Sequence, residues 1–142
     1  MSSDESKQIA MEYIERFNAG DIAHAHELLD DDLVWWVAGD LPFSGDIRKP
    51  EFRKNNEMIV GLFKTFPKWI VDSAIAEGDK VAVIAHSAGD TIDGFEYRNK
   101  YHILFTVRHG KIIRADEYMD TKHCWDLLAS FDAAQQHAKT EG

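Results

Sequence analysis

Glu117-Tyr118-Met119-Asp120-Thr121 is the stretch of this chain with the clearest capacity for chemistry. It closes a strand-like run, Lys111 to Asp116, that begins after a turn at His109-Gly110. In an alternating strand, Ile113, Ala115, Glu117 and Met119 share one face. That places an ionisable group on an otherwise apolar surface. A lone buried carboxylate is costly, so such a group is paired, protonated or put to use. Inside a pocket it would serve as a general acid or base. The plain alternative is a strand-end glutamate with its carboxylate in water. Tyr101 stands sixteen residues before Glu117. A hairpin turning at 109–110 brings the two near one another on paired strands. On the preceding strand Ala82, Ile84, His86 and Ala88 share a face, and His86 is the only ionisable residue among them. A His–Glu pair in an apolar enclosure has proton affinities shifted towards neutrality, which acid/base work on a small substrate requires.

The elements that must position these groups punctuate cleanly. Ile9, Tyr13 and Phe17, with Ala10 and Ile14 beside them, predict an amphipathic helix over roughly 5–18, capped by Ser3 or Ser6. Asn18-Ala19-Gly20-Asp21 stops it, and Asp21 caps a second helix running to Leu29. Leu33 to Val37 reads as a strand and Gly39 to Gly45 as a loop. Pro50 opens a third helix, which Pro67 ends. From Trp69 the period becomes two: Trp69 to Ile75, a turn at Gly78-Asp79, then Val81 to Ala88. A long strand follows from Tyr97 to Arg108, with Tyr97, Asn99, Tyr101, Ile103, Phe105 and Val107 on one face. Asp120 or Thr121 caps a last short helix holding Trp125, Leu128 and Phe131, and the polar tail from Gln135 frays. Three helices with an early strand, a four-strand meander and a final helix define an α+β fold with an antiparallel sheet. A strongly bent sheet wrapped on a helix makes a cone with an internal pocket.

Composition narrows the function. A chain of 142 residues with 44% hydrophobic content is one folded domain, its core spanning about 6–131 before a polar C-terminal tail. No apolar run approaches the roughly 20 residues of a membrane span. The acidic start Met1-Ser2-Ser3-Asp4-Glu5 has no apolar stretch of the signal-peptide kind, so cytoplasm is the default location. A formal charge of −9 opposes binding to nucleic acid or anionic lipid. Cys124 is the only cysteine, the seven histidines lack ligand spacing with acids, and neither a phosphate loop nor a nucleophile elbow occurs. The expectation is chemistry without metal or cofactor.

Several motifs together carry a family resemblance. Phe17-Asn18-Ala19-Gly20-Asp21, the run Tyr97-x-Asn99-x-Tyr101 with Phe105, the turn Gly110-Lys111-Ile112 and Glu117-Tyr118-Met119-Asp120-Thr121 occur in order over roughly 6–131. The chain resembles the SnoaL-like and ketosteroid-isomerase-like proteins of the nuclear transport factor 2-like superfamily. That resemblance implies the cone fold, a small apolar or aromatic substrate, and a homodimer formed through an outer sheet face carrying His102, Leu104 and Thr106. It also implies an oxyanion-hole tyrosine on the first helix, a place held by Tyr13. Two acids of the isomerase pattern are absent: Val37 stands at the position of the base and Ile103 at that of the second oxyanion donor. The Arg-x-Asp pair of limonene-epoxide-hydrolase-like members is missing too, although Glu117 matches their late acid. An aromatic and a glutamate in motifs like those of Tyr101 and Glu117 also occur in phenazine-biosynthesis condensing proteins. The expected catalytic set is Glu117, His86, Tyr101 and Tyr13. Asn99 is the hydrogen-bond partner, and Trp35, Val37, Trp69, Ile103, Phe105 and Met119 shape the substrate pocket. The reaction implied is isomerase, cyclase, hydratase or epoxide-hydrolase chemistry, with a non-catalytic ligand-binding or assembly module as the alternative.

Overall fold

The computed structural model describes residues 2–141, with side chains up to 132. Helix α1 (Ser3–Asn18) is capped by Ser2, whose Oγ accepts from Glu5 N at 3.1 Å. Neither Ser3 nor Ser6 is the cap; Ser6 is fully buried. Asp21 caps α2 (Ile22–His26), which is much shorter than the periodicity predicts. The residues beyond it extend the first strand, β1 (Leu29–Val37), back to Leu29. The expected loop after β1 contains an additional short strand, β2 (Gly45–Arg48). Pro50 lies in the first turn of α3 (Lys49–Gly61), which stops at Gly61 rather than at Pro67.

Strands β3 (Lys68–Glu77), β4 (Lys80–Asp90), β5 (Glu96–Arg108) and β6 (Lys111–Met119) form the expected antiparallel meander. The curved six-stranded sheet has the order β2-β1-β6-β5-β4-β3. One pairing departs from the all-antiparallel expectation: β1 lies parallel to β6. This pairing sets Val37 opposite Glu117, and on the other side of β6 Ile103 of β5 also faces Glu117. The last helix, α4 (Thr121–Glu141), has Asp120 at its start, accepting from His123 N at 3.3 Å. It runs as helix to Glu141, where the sequence predicts a short helix and a frayed tail. No described helix is long and apolar enough to cross a membrane.

Two bulges decide what faces inward. Between Val71 and Ser73 the register slips, so Trp69 and Val71 share the inner face with Ala74 and Ala76, and Ile75 turns outward. Near the β5–β6 turn a second slip puts Ile112, not Ile113, on the inner face with Ala115, Glu117 and Met119. An extra residue in one strand inverts parity on one side of the bulge only. The turn between these strands is two residues long, with His109 at φ 50° and Gly110 at φ 75°, the left-handed pair that tight hairpins need.

The core lies between α1 and the concave sheet face. Tyr13, Trp35 and Phe105 meet at 5.8–6.2 Å between ring centres, and Phe52 stacks on Trp35 at 4.2 Å. These rings close the narrow end of the cone. The Asn18 side chain pairs with both backbone groups of Trp69, at 2.7 and 2.9 Å. It thereby ties the end of α1 to the edge strand and holds Trp69 in place.

Candidate functional site

A cavity of about 190 Å³ opens above the aromatic plug, between the concave sheet, α3 and α4. Its walls are mostly apolar: Phe17, Phe43 and Phe63 face Trp69, Met119 and Leu128. Met58, more than half exposed, marks its mouth. Of the expected site residues, Glu117, Tyr101, Trp69 and Met119 line this space.

Glu117 stands on β6 between Val37 and Ile103, both buried. The two positions where the family resemblance implies acids are thus its immediate cross-strand neighbours. The carboxyl group of this chain occupies the same row of the sheet, displaced by one strand. Glu117 keeps partial access on the cavity side and is otherwise enclosed by protein. Burial pushes its pKa up to about 7, opposed by one hydrogen bond that Trp35 Nε1 donates to Oε1 at 2.9 Å. Among the described residues no cation pairs with it. The group therefore exchanges its proton near neutrality, in an apolar space with room for a small molecule.

Tyr101 presents its ring to Trp69 at 5.3 Å and its hydroxyl to Tyr97 in a short hydrogen bond. Burial first, then the nearby Glu117 charge, pushes the phenol pKa far up, so Tyr101 stays a proton donor. Asn99 does not line the cavity; it braces the site from behind, donating to Tyr97 Oη at 2.9 Å. Ser87, Tyr97, Asn56 and Cys124 also line the cavity and lie outside the expected set. Tyr97 shares the inward parity of Tyr101, a signal present in the sequence. Cys124 reaches the site only because α4 folds back over the sheet.

Four expected lining residues belong to the core instead. Trp35, Val37, Ile103 and Phe105 are buried and line no part of the cavity. They are on the inner face, but α1 and α3 cover that part of the sheet. Tyr13 lies in the same plug, 1% exposed, and does not reach the cavity surface. Burial, then the charge of Glu117, pushes its pKa far up, and Asn56 faces its hydroxyl. Tyr13 therefore stays a neutral phenol within the core and does not line the cavity.

The expected pairing of His86 with Glu117 does not occur. The inner face of β4 carries Val81, Val83, Ala85 and Ser87, so His86 projects from the other side. There its Nδ1 sits 2.9 Å from Asp72 at the sheet surface. Both faces of β4 are apolar enough to be buried, and alternation alone does not say which one is.

Fold and site together define a cone-shaped α+β protein whose cavity holds one buried carboxyl group. The chain belongs to the SnoaL-like domain family, which matches residues 10–115. Among solved structures it is similar to PrhC from Penicillium brasilianum, at 17% identity, TM-score 0.83, with 95% of this chain and 93% of that one covered. It is also similar to the BvnE pinacolase from Penicillium brevicompactum, at 14% identity and TM-score 0.81, with 92% of each chain covered. An NTF2-like protein from Burkholderia xenovorans LB400 matches at 21% identity and TM-score 0.73, over 87% of this chain and 95% of that one. At these identities the likeness is one of fold. A comparison with curated proteins found no match.

Proposed function

We propose that this protein is a small-molecule enzyme in which Glu117 moves a proton to or from a largely apolar substrate held in the cone. The observation that carries this reading is a carboxyl group with a pKa of about 7, enclosed by apolar walls and facing a cavity. A general acid or base works best with a pKa near the working pH. Trp35 fixes one carboxyl oxygen, leaving the other free for the substrate. Tyr101 supplies a neutral donor on the same wall. The reaction class this favours is isomerisation, cyclisation, hydration or epoxide opening. The pinacolase among the similar folds is in keeping with such chemistry.

A second reading, a binding module without turnover, draws support from the mostly apolar lining. Incubation with a panel of small cyclic ketones and epoxides in D₂O separates the two, with deuterium uptake followed by NMR and products by mass spectrometry. Turnover that Glu117→Gln lowers by a factor on the order of 10²–10⁴, with the fold intact, is the expected result. Equal rates in wild type and variant would end the catalytic reading for Glu117. Ligands that bind without reacting would favour the module.

A further inference from the structure

Strand β5 outruns its neighbour. Its pairing with β6 ends at Tyr101 and Met119, while β5 itself begins at Glu96. Backbone donors on that free edge need other acceptors. Side chains supply them: Lys100 N donates to Asn99 Oδ1 at 2.8 Å, and Arg98 N to His123 Nε2 at 3.0 Å. A backbone N–H only donates, so His123 Nε2 is an acceptor here and carries no proton. The ring is therefore the neutral tautomer with its hydrogen on Nδ1. It stacks on Tyr97 at 5.2 Å and lies against Phe95 at 5.3 Å.

His123 belongs to α4, and α4 roofs the cavity with Cys124, Leu127 and Leu128. The start of this helix is pinned. Asn99 Oδ1 accepts from Asp120 N at 3.0 Å, and Asn99 Nδ2 donates to Asp120 O at 3.1 Å. Beyond that point the described polar ties from α4 to the rest of the fold are few. Trp125 Nε1 donates to Asp40 at 3.3 Å, Ser130 meets Asp93, and the Cys124 sulfur makes weak contacts with Asn99 and Tyr97 at 3.5 and 3.6 Å. The remaining tie is the His123 bond to Arg98 N. A carboxyl group that gains a proton still accepts through its carbonyl oxygen, whereas a protonated imidazole accepts nothing.

We propose that His123 is a pH-operated latch on the cavity: its neutral ring holds α4 down over the ligand space, and its protonation frees the helix to pivot about Asp120 and open that space. The inference rests on the cavity being the substrate site and concerns the regulation of access to it. A second ring proton would set Nε2–H against Arg98 N–H and leave the backbone donor without its acceptor. The new charge would also stand in the first turn of α4, where the helix dipole disfavours a cation. The surrounding charges do not compensate. The Asp120 carboxylate accepts from His123 N, Lys122 and Asp126 pair with each other, and on β5 the Arg98 guanidinium pairs with Asp90 of β4. Asp93 of the β4–β5 loop holds Thr91. Among the described residues neither these carboxylates nor Glu96 forms an ion pair with the His123 ring. Tyr97 and Phe95 attract an imidazolium through their faces, but they give Arg98 N–H nothing to bond.

Cys124, the only cysteine and buried under the same helix turn, reports the opening. Its labelling rate with a dipyridyl disulfide is measured for wild type and His123→Gln, from about pH 8 to about pH 5, the range in which imidazoles titrate. Glutamine offers Arg98 N an acceptor that does not titrate. The ratio of the two rates cancels the pH dependence of the thiol and of Glu117, which both proteins share. That ratio is expected to rise about five- to tenfold as the pH falls, the loss of one hydrogen bond. Hydrogen exchange in the same buffers should quicken within 121–131 while β5 and β6 stay protected. Should His123→Gln not fold, wild-type exchange alone decides. A constant ratio, or exchange that rises throughout the sheet, overturns the latch. Neither readout involves a substrate, so that failure leaves the Glu117 reading untouched. A working latch with Glu117→Gln turning over at the wild-type rate would instead mean a gated cavity in which Glu117 does no chemistry.

Discussion

At the scale of single residues, Glu117 is controlled by what surrounds it. Its neighbours across the sheet, Val37 and Ile103, offer no charge or hydrogen bond, and Trp35 supplies one donor. The resulting pKa of about 7 links folding to pH. The folded protein holds a proton that the unfolded chain, with its carboxyl near the ordinary value of 4.5, has already lost. This contribution to stability is complete below about pH 4.5 and is lost as pH rises through about 7. Its size is about 3 kcal/mol. Denaturant titrations across that window should show wild-type stability falling with pH relative to Glu117→Gln, whose amide does not titrate. Parallel curves for the two proteins would mean that Glu117 titrates as an exposed carboxylate.

At the scale of elements, the cavity depends on close approaches between the sheet and the segment after α3. Gly89 on β4 is one of them. A Cβ there would lie 2.8 Å from Phe63 Cδ1 and 3.1 Å from Thr65 O. Phe63 lines the cavity and packs edge-on against Tyr97 at 5.8 Å. Gly89→Ala should therefore push Phe63 into the cavity and cost about 1–3 kcal/mol of stability. Thermal melts read the second effect and loss of ligand binding the first. Unchanged stability together with unchanged binding would show that the 62–67 segment gives way freely. Much of this scale was legible in the sequence, because alternation, Gly-containing turns and caps such as Asp21 and Asp120 are local properties. The misses have local causes as well. Ser2 takes the cap from Ser3 and Ser6, and β2 hides in a stretch too short to show a period.

At the scale of the whole molecule, the outer sheet face is unusually apolar for a surface in water. Ile70 is 53%, Ile75 71% and Tyr118 51% exposed, with Ile84 and Leu104 half-buried among them. Thr106 lies on this face as expected but is buried beneath Lys80, whose Nζ donates to it at 2.7 Å. An apolar patch of this kind calls for a partner, and we propose that a second copy of the chain covers it. Light scattering at micromolar concentration should give a dimer, and Ile84→Lys with Tyr118→Asp should shift it to monomer. A monomeric wild type would refute this.

The sequence by itself determined the order of elements, the four-strand meander, and the inward parity of Ala115, Glu117 and Met119. It also determined the parity of Tyr97, Asn99 and Tyr101, since period-two alternation survives wherever no bulge intervenes. Only the tertiary structure decided three further matters. It put His86 outside, because both faces of β4 are apolar and the choice depends on which one α1 covers. It sank Tyr13, Trp35, Val37, Ile103 and Phe105 into the plug below the cavity, because an inward-facing side chain lines a pocket only where no helix lies over it. It brought Tyr97, Asn99, Tyr101 and Cys124 into one polar cluster, because hydrogen-bond partners from β5 and α4 are joined by packing across long stretches of chain, which no local pattern records.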